Sequence, residues 1–254
     1  MNTALLEVSE LRKAYGAIRA VDGVSFAVQP GEIFGVIGPN GSGKTTLFNS
    51  MLGQIVPDAG RIALDGQDVT GLSPLALSRR GVGRTFQTLQ VFGRMSVRDN
   101  LIVAAQEHEG SLLGRLFAPP DAGLGARADA LLARFRLGHV AQQRAGALSY
   151  GQQKLVDIAM AFMREPALVL LDEPCAGVNP SLVGGIATLL KDLNRHPTGG
   201  TGRPASFVVI EHNMDFVMDL CQRIMVMVEG RVLAIGTPAD IRANKQVLDA
   251  YLGT

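Results

Sequence analysis

Gly38-Pro39-Asn40-Gly41-Ser42-Gly43-Lys44-Thr45 combines glycines, a lysine and a hydroxyl at a spacing suited to binding phosphate. Glycines let successive backbone N–H groups converge on phosphate oxygens, and Lys44 supplies a point charge to β and γ phosphates. The Thr45 hydroxyl offers an oxygen to Mg²⁺, and Thr46 extends the same set into the helix expected to start at the lysine. Downstream, LVLLDE ends an apolar run in two carboxylates. Asp172 is suited to hold Mg²⁺ opposite Thr45, and Glu173 to orient and polarise an attacking water. An acidic pair after a strand also serves as a helix cap or surface turn; the phosphate loop favours the catalytic reading.

His212 ends VVIEH, the next apolar run, and a parallel sheet would bring that end beside Glu173 on one edge, where ligands bind. A histidine after a strand can equally be structural. Gln87 is a polar residue at a change of texture, and Tyr15 in KAYG can stack on adenine or fill a strand face. LSYGQQK poses a different question, because Ser149, Tyr150 and Gly151 head a helix and so form a second anion site. A chain with one nucleotide has no internal use for it, so it is read as facing the nucleotide of a second subunit.

These residues require strands that end together. LLEVSEL, VDGVSFAVQPGE and GRIALDGQDVTG read as strands and turns, with Val24, Phe26 and Val28 on one face. Between them, IFGVIGPNGSGKTTLFNSMLG is a buried strand, a loop and a helix ending near Gly53. After Thr85-Phe86-Gln87 the texture turns helical: SVRDNLIVAAQ with Ser96 as N-cap, then ARADALLARFRLG with Gly138 past its end. HEGSLLGRLFAPPDAGLG between them reads as loop. From Ser149 onward helices and strands alternate, closing with the hairpin RIMVMVEGRVLAIG; HPTGGTGRPA is a turn-rich insertion.

Composition bounds the remainder. The 254 residues are 47% hydrophobic, enough for one sizeable core, and 24 basic against 23 acidic side chains leave a net charge of +1. No chain-wide attraction to nucleic acid or anionic lipid follows. Cys175 and Cys221 lack zinc spacing and are read as free thiols of a reducing compartment. The N-terminus lacks a secretory pattern, and no run reaches ~18 apolar residues.

The ordered set resembles the ATP-binding cassette (ABC) ATPases along almost the whole chain. In that family's terms Tyr15 is the adenine-stacking aromatic, Gly38 to Thr45 Walker A and Gln87 the Q-loop glutamine, a catalytic and metal residue. Leu148 to Gln152 is the signature motif, whose Ser149, Gly151 and Gln152 meet a partner's nucleotide. Asp172 and Glu173 are Walker B with the catalytic glutamate, and His212 is the switch histidine. The resemblance implies an α/β P-loop NTPase fold with a mixed-sheet core, an N-terminal antiparallel β lobe and an inserted α-helical subdomain. One domain over 1–254 is expected, with lobe and Walker A core in 1–87, helical subdomain in 88–164 and remaining core in 165–254.

TFQTLQVFGRMSVRDNLIVA, LSYGQQ, EPCAGVNP, VIEHNM and AYLG further resemble the larger ATPase of branched-chain amino acid importers. That implies ATP and Mg²⁺, two integral-membrane permeases, a second and smaller ABC ATPase, an indirect solute-binding protein and no nucleic acid. It also implies a peripheral position on the cytoplasmic face of the bacterial inner membrane. Amide or urea import, or a soluble ABC ATPase without a transport role, is the alternative. Three features depart from the pattern: Tyr150 replaces the first signature glycine, Asn179 the D-loop aspartate, and Lys154-Leu155-Val156-Asp157 an Arg-Arg-Leu-Glu-like run.

Overall fold

The computed structural model describes residues 4–85, 89–106, 122–197 and 204–252. Its N-terminal lobe is a four-stranded antiparallel sheet ordered β2-β1-β4-β5, built from β1 (Leu6–Tyr15), β2 (Ile18–Val28), β4 (Ala59–Leu64) and β5 (Gln67–Asp68). Val24, Phe26 and Val28 are buried together on one face, as their alternation predicts.

The second sheet has six strands in the order β10-β9-β3-β8-β7-β6. It comprises β3 (Ile33–Ile37), β6 (Val82–Arg84), β7 (Leu168–Asp172), β8 (Ser206–Ile210), β9 (Arg223–Val228) and β10 (Arg231–Gly236). Only β10 runs antiparallel to its neighbour, closing the hairpin expected at RIMVMVEGRVLAIG. Every residue of β3 and β8 is buried, which explains their continuous apolar runs. Alternate side chains feed two cores. Phe34, Val36, Leu168, Leu170, Val208 and Ile210 face the β lobe, whereas Ile33, Ile37, Val169, Leu171, Phe207 and Val209 face the helices. Phe26 and Phe34 stack across the two sheets with centroids 5.2 Å apart and rings 5° from parallel.

The helices are α1 (Lys44–Met51), α2 (Pro74–Arg79), α3 (Val97–Ala105), α4 (Ala122–Arg134), α5 (Tyr150–Phe162), α6 (Pro180–Arg195), α7 (Met214–Leu220), α8 (Pro238–Ala243) and α9 (Lys245–Leu252). Ser96 caps α3, its Oγ accepting the Asp99 N–H at 3.0 Å. Between β6 and β7 the described residues contain helices and no strand. One expectation needs correcting: the segment read as loop up to Gly125 is already helical from Ala122. Past the end of α4 at Arg134, Arg136 takes the left-handed conformation at φ 57°, and Gly138 follows beyond the helix as expected. Among the described residues no helix is long and apolar enough to cross a membrane.

Candidate active site

β3 carries the phosphate loop at its C-terminal end, and α1 starts at Lys44 as expected. Gly43 is at φ 98°, and a Cβ there would lie 1.9 Å from the Ala20 carbonyl oxygen, so no other residue fits this turn. Lys44 is 5% exposed; its Nζ donates to the carbonyls of Gly38 and Pro39, both at 2.9 Å, and to Ser42 Oγ at 3.3 Å. Burial draws its pKa below the usual lysine value, with the charges of Glu173 and Asp172 opposing. In front lies a cavity of about 430 Å³ lined by Tyr15, Asn40, Gly41, Gly43, Lys44, Thr45 and Thr46 on one side and by Glu173 and His212 on the other. Tyr15 is half-exposed there, with Lys13 Nζ 5.8 Å from its ring centroid.

The opposing wall comes from two adjacent strands. β8 lies between β3 and β7, so parallel pairing sets the segment after Ile210 beside the one after Asp172. Burial, then the neighbouring Glu173 charge, pushes the Asp172 carboxyl up, while Lys154 and His212 pull it down. Lys154 is fully buried in α5, so the run that departs from the family pattern places a cation inside the fold near Asp172. Glu173 has a left-handed backbone, φ 47°, which costs about 1–2 kcal/mol and is held in part by its N–H donating to Ile210 O at 2.9 Å. Its Oε1 lies 2.8 Å from His212 Nε2.

One residue of this wall carried no role in the sequence reading. Glu211 is 4% exposed, and its carboxylate accepts the N–H of Cys175 at 2.7 Å, His212 at 3.0 Å and Asn213 at 3.3 Å. A charged residue closing the apolar run VVIEH was the available signal.

Ser149, Gly151 and Gln152 do not line the nucleotide cavity. Ser149 caps α5 in a capping box: its Oγ accepts the Gln152 N–H, while its own N–H donates to Gln152 Oε1 at 3.1 Å. Tyr150 packs over Gly177, where a Cβ would meet the ring at 3.0 Å, and Gly151 packs against Leu182. Asn179 caps α6, its Oδ1 accepting the Ser181 N–H at 3.0 Å. From the C-terminal helix, Tyr251, 40% exposed, sets its phenol near the Gly38 backbone, where partial burial pushes it up to about 12. Cys175 and Cys221 are buried free thiols. Gln87 lies outside the described residues.

A phosphate loop on a central parallel strand, a carboxylate pair two strands away, a histidine between them and a capped LSYGQ turn beyond a helical segment define an ATP-binding cassette. The chain belongs to the ABC transporter family: residues 21–176 match its model, and residues 231–254 match that of the branched-chain amino acid ATP-binding cassette transporters. It is accordingly an ABC-type ATPase.

The chain is 38% identical to the high-affinity branched-chain amino acid transport ATP-binding protein BraF of Pseudomonas aeruginosa, over 100% of this chain and 99% of that one. It is also 38% identical to LivG of Escherichia coli, a protein of the same description, over the same shares of both chains. Among solved structures, the ADP conformation of MJ1267, an ATP-binding cassette of an ABC transporter, is similar with a TM-score of 0.87. That likeness is at 33% identity and covers 99% of this chain and 100% of that one.

Proposed function

We propose that this chain is the ATP-hydrolysing subunit of a membrane importer for branched-chain or related amino acids. The observation that carries this reading is the Glu173–His212 pair, 2.8 Å apart, facing Lys44 and Thr45 across the nucleotide cavity. Tyr15 holds the adenine, the Walker A N–H groups and Lys44 hold the phosphates, and Glu173 orients the attacking water and accepts its proton as it bonds to the γ-phosphorus. ADP is the leaving group. His212 donates its Nε2–H to the Glu173 carboxylate and so fixes it beside the γ-phosphate, and Gln87 joins this set by family resemblance.

The donor set suits Mg²⁺. Asp172 and Glu173 are neighbouring carboxylates in a partly desolvated site, where a divalent cation would offset both the burial that chiefly raises Asp172 and the adjacent Glu173 charge that adds to it. Thr45 and Asp172 would hold the ion, with Gln87 as a further ligand; when bound, it neutralises charge on the β and γ phosphates.

ATP draws the chain face to face with a second ABC ATPase, by resemblance a different and smaller one. Ser149 and Gly151 then reach its γ-phosphate, Gln152 holding their turn, and hydrolysis releases the pair. Permease subunits dock in the cleft of about 290 Å³ between α2, β6 and α5, which Leu75, Leu77, Val82 and Met160 help line. In this reading the chain sits on the cytoplasmic face of the inner membrane, with a solute-binding protein acting indirectly through the permeases. Within this framework 1–87, 88–164 and 165–254 act as lobe with Walker A, helical subdomain and remaining core. Glu173→Gln is the direct test: ATP affinity persists and turnover falls at least 100-fold. Hydrolysis near the parent rate refutes the assignment.

A further inference from the structure

We propose that Glu211 is a positioning residue for hydrolysis, one buried carboxylate tying the turn that carries His212 to the loop that follows Glu173. Its two oxygens serve different segments. Oε1 accepts the N–H of Cys175, two residues beyond Glu173, at 2.7 Å. Oε2 accepts the N–H groups of His212 and Asn213, at 3.0 and 3.3 Å. With the Glu173 N–H donating to Ile210 O at 2.9 Å, these bonds bracket the Glu173–His212 contact on both sides.

Physical considerations make this tie specific. Glu211 is 4% exposed and Cys175 7% exposed, so water does not readily replace a lost partner. Charge-assisted bonds to backbone N–H groups hold geometry more stiffly than neutral ones. Burial, together with the nearby Glu211 carboxylate, also pushes the Cys175 thiol well above its usual range. The left-handed backbone of Glu173 needs such over-determination from its surroundings. Asn213, which Oε2 engages, also caps α7 by accepting the Phe216 N–H at 3.1 Å, so Glu211 anchors the switch turn to a helix.

Two substitutions separate the cross-loop tie from a local role. Aspartate is one methylene shorter; it reaches the N–H groups of its own turn and loses Cys175. Glutamine keeps the length but sets an NH₂ against an N–H donor. The inference rests on Glu173 as the water-orienting base, so Glu173→Gln is measured alongside.

The experiment uses the full-length chain. ATP affinity, kcat and KM are measured at 25 °C, with hydrogen exchange at the Cys175 and His212 amides. Expected for Glu211→Asp are ATP affinity within about twofold of the parent, loss of protection at Cys175 with His212 still protected, and kcat lowered ~10- to 100-fold, the scale of a small misplacement of a catalytic group. Glu211→Gln lowers kcat at least as far; should it fail to fold, the aspartate variant, which retains the buried charge, decides alone. Parent-like kcat in either folded variant, or ATP affinity falling in proportion to kcat, overturns the proposal. Turnover in Glu173→Gln instead removes the reading of Glu173; its absence beside parent-like Glu211 variants removes this inference alone.

Discussion

Gly177→Ala tests whether the signature turn and the D-loop of one chain are in mechanical contact. Gly177 has φ 71°, and a Cβ there would meet Tyr150 Cε1 at 3.0 Å, Cζ at 3.3 Å and Oη at 3.5 Å. The left-handed conformation costs alanine about 1–2 kcal/mol. Pushing the ring aside adds about 1 kcal/mol, the low end for overpacking, because Tyr150 is 45% exposed and can yield. A stiffer unfolded chain returns about 0.4–1 kcal/mol, leaving a net destabilisation of about 2 kcal/mol. Tyr150→Ala in the same chain removes only the ring. The double variant is therefore more stable than the sum of the singles by about 1 kcal/mol in urea unfolding analysed with a common m-value. Additivity within ~0.3 kcal/mol, or a neutral Gly177→Ala, refutes the contact.

Two further outcomes follow from the site. Asp172 has a folded pKa raised above its unfolded value, so its contribution to stability is present below the unfolded pKa and lost as pH rises through the folded one; at neutral pH its charge is a cost. Asp172→Asn should unfold at or above the parent temperature at neutral pH without nucleotide, and lose the extra stabilisation that Mg²⁺ adds to ATP; a lower unfolding temperature, or an intact Mg²⁺ increment, contradicts this. At the signature, Ser149→Arg should abolish ATP-dependent dimerisation measured by light scattering while Tyr150→Gly leaves it in place, and the reverse result would sink the division of roles between them.

Much of this architecture was legible because its signals are local. The phosphate loop needs consecutive residues in one turn, and LVLLDE announces both a buried strand and the carboxylates at its end. Ser96 and Ser149 declare helix starts, since a capping side chain bonds a backbone N–H only a few residues away. What escaped depends on contacts between distant segments. Glu211 pairs with Cys175, 36 residues earlier, and inside VVIEH it reads as one more strand residue. Tyr150 stood out only as a departure at the first signature glycine, because its contact, Gly177, comes from another loop. The helix α2 and the C-terminal helices α8 and α9 were missed as well; α2 and α8 are six residues each, too short for a periodic pattern to stand out.

The chain has no tryptophan and three tyrosines, and those three are unusually placed. Tyr15 stands in the nucleotide cavity, Tyr150 lies on the D-loop glycine, and Tyr251 reaches the phosphate loop from the C-terminal helix. Tyrosine emission from the unlabelled protein, excited beyond the phenylalanine band, therefore originates at these three points and nowhere in the core. With single Tyr→Phe replacements to separate them, the protein carries its own optical reporters for the phosphate-loop cavity, for the contact between the signature turn and the Gly177 loop, and for its C-terminal helix.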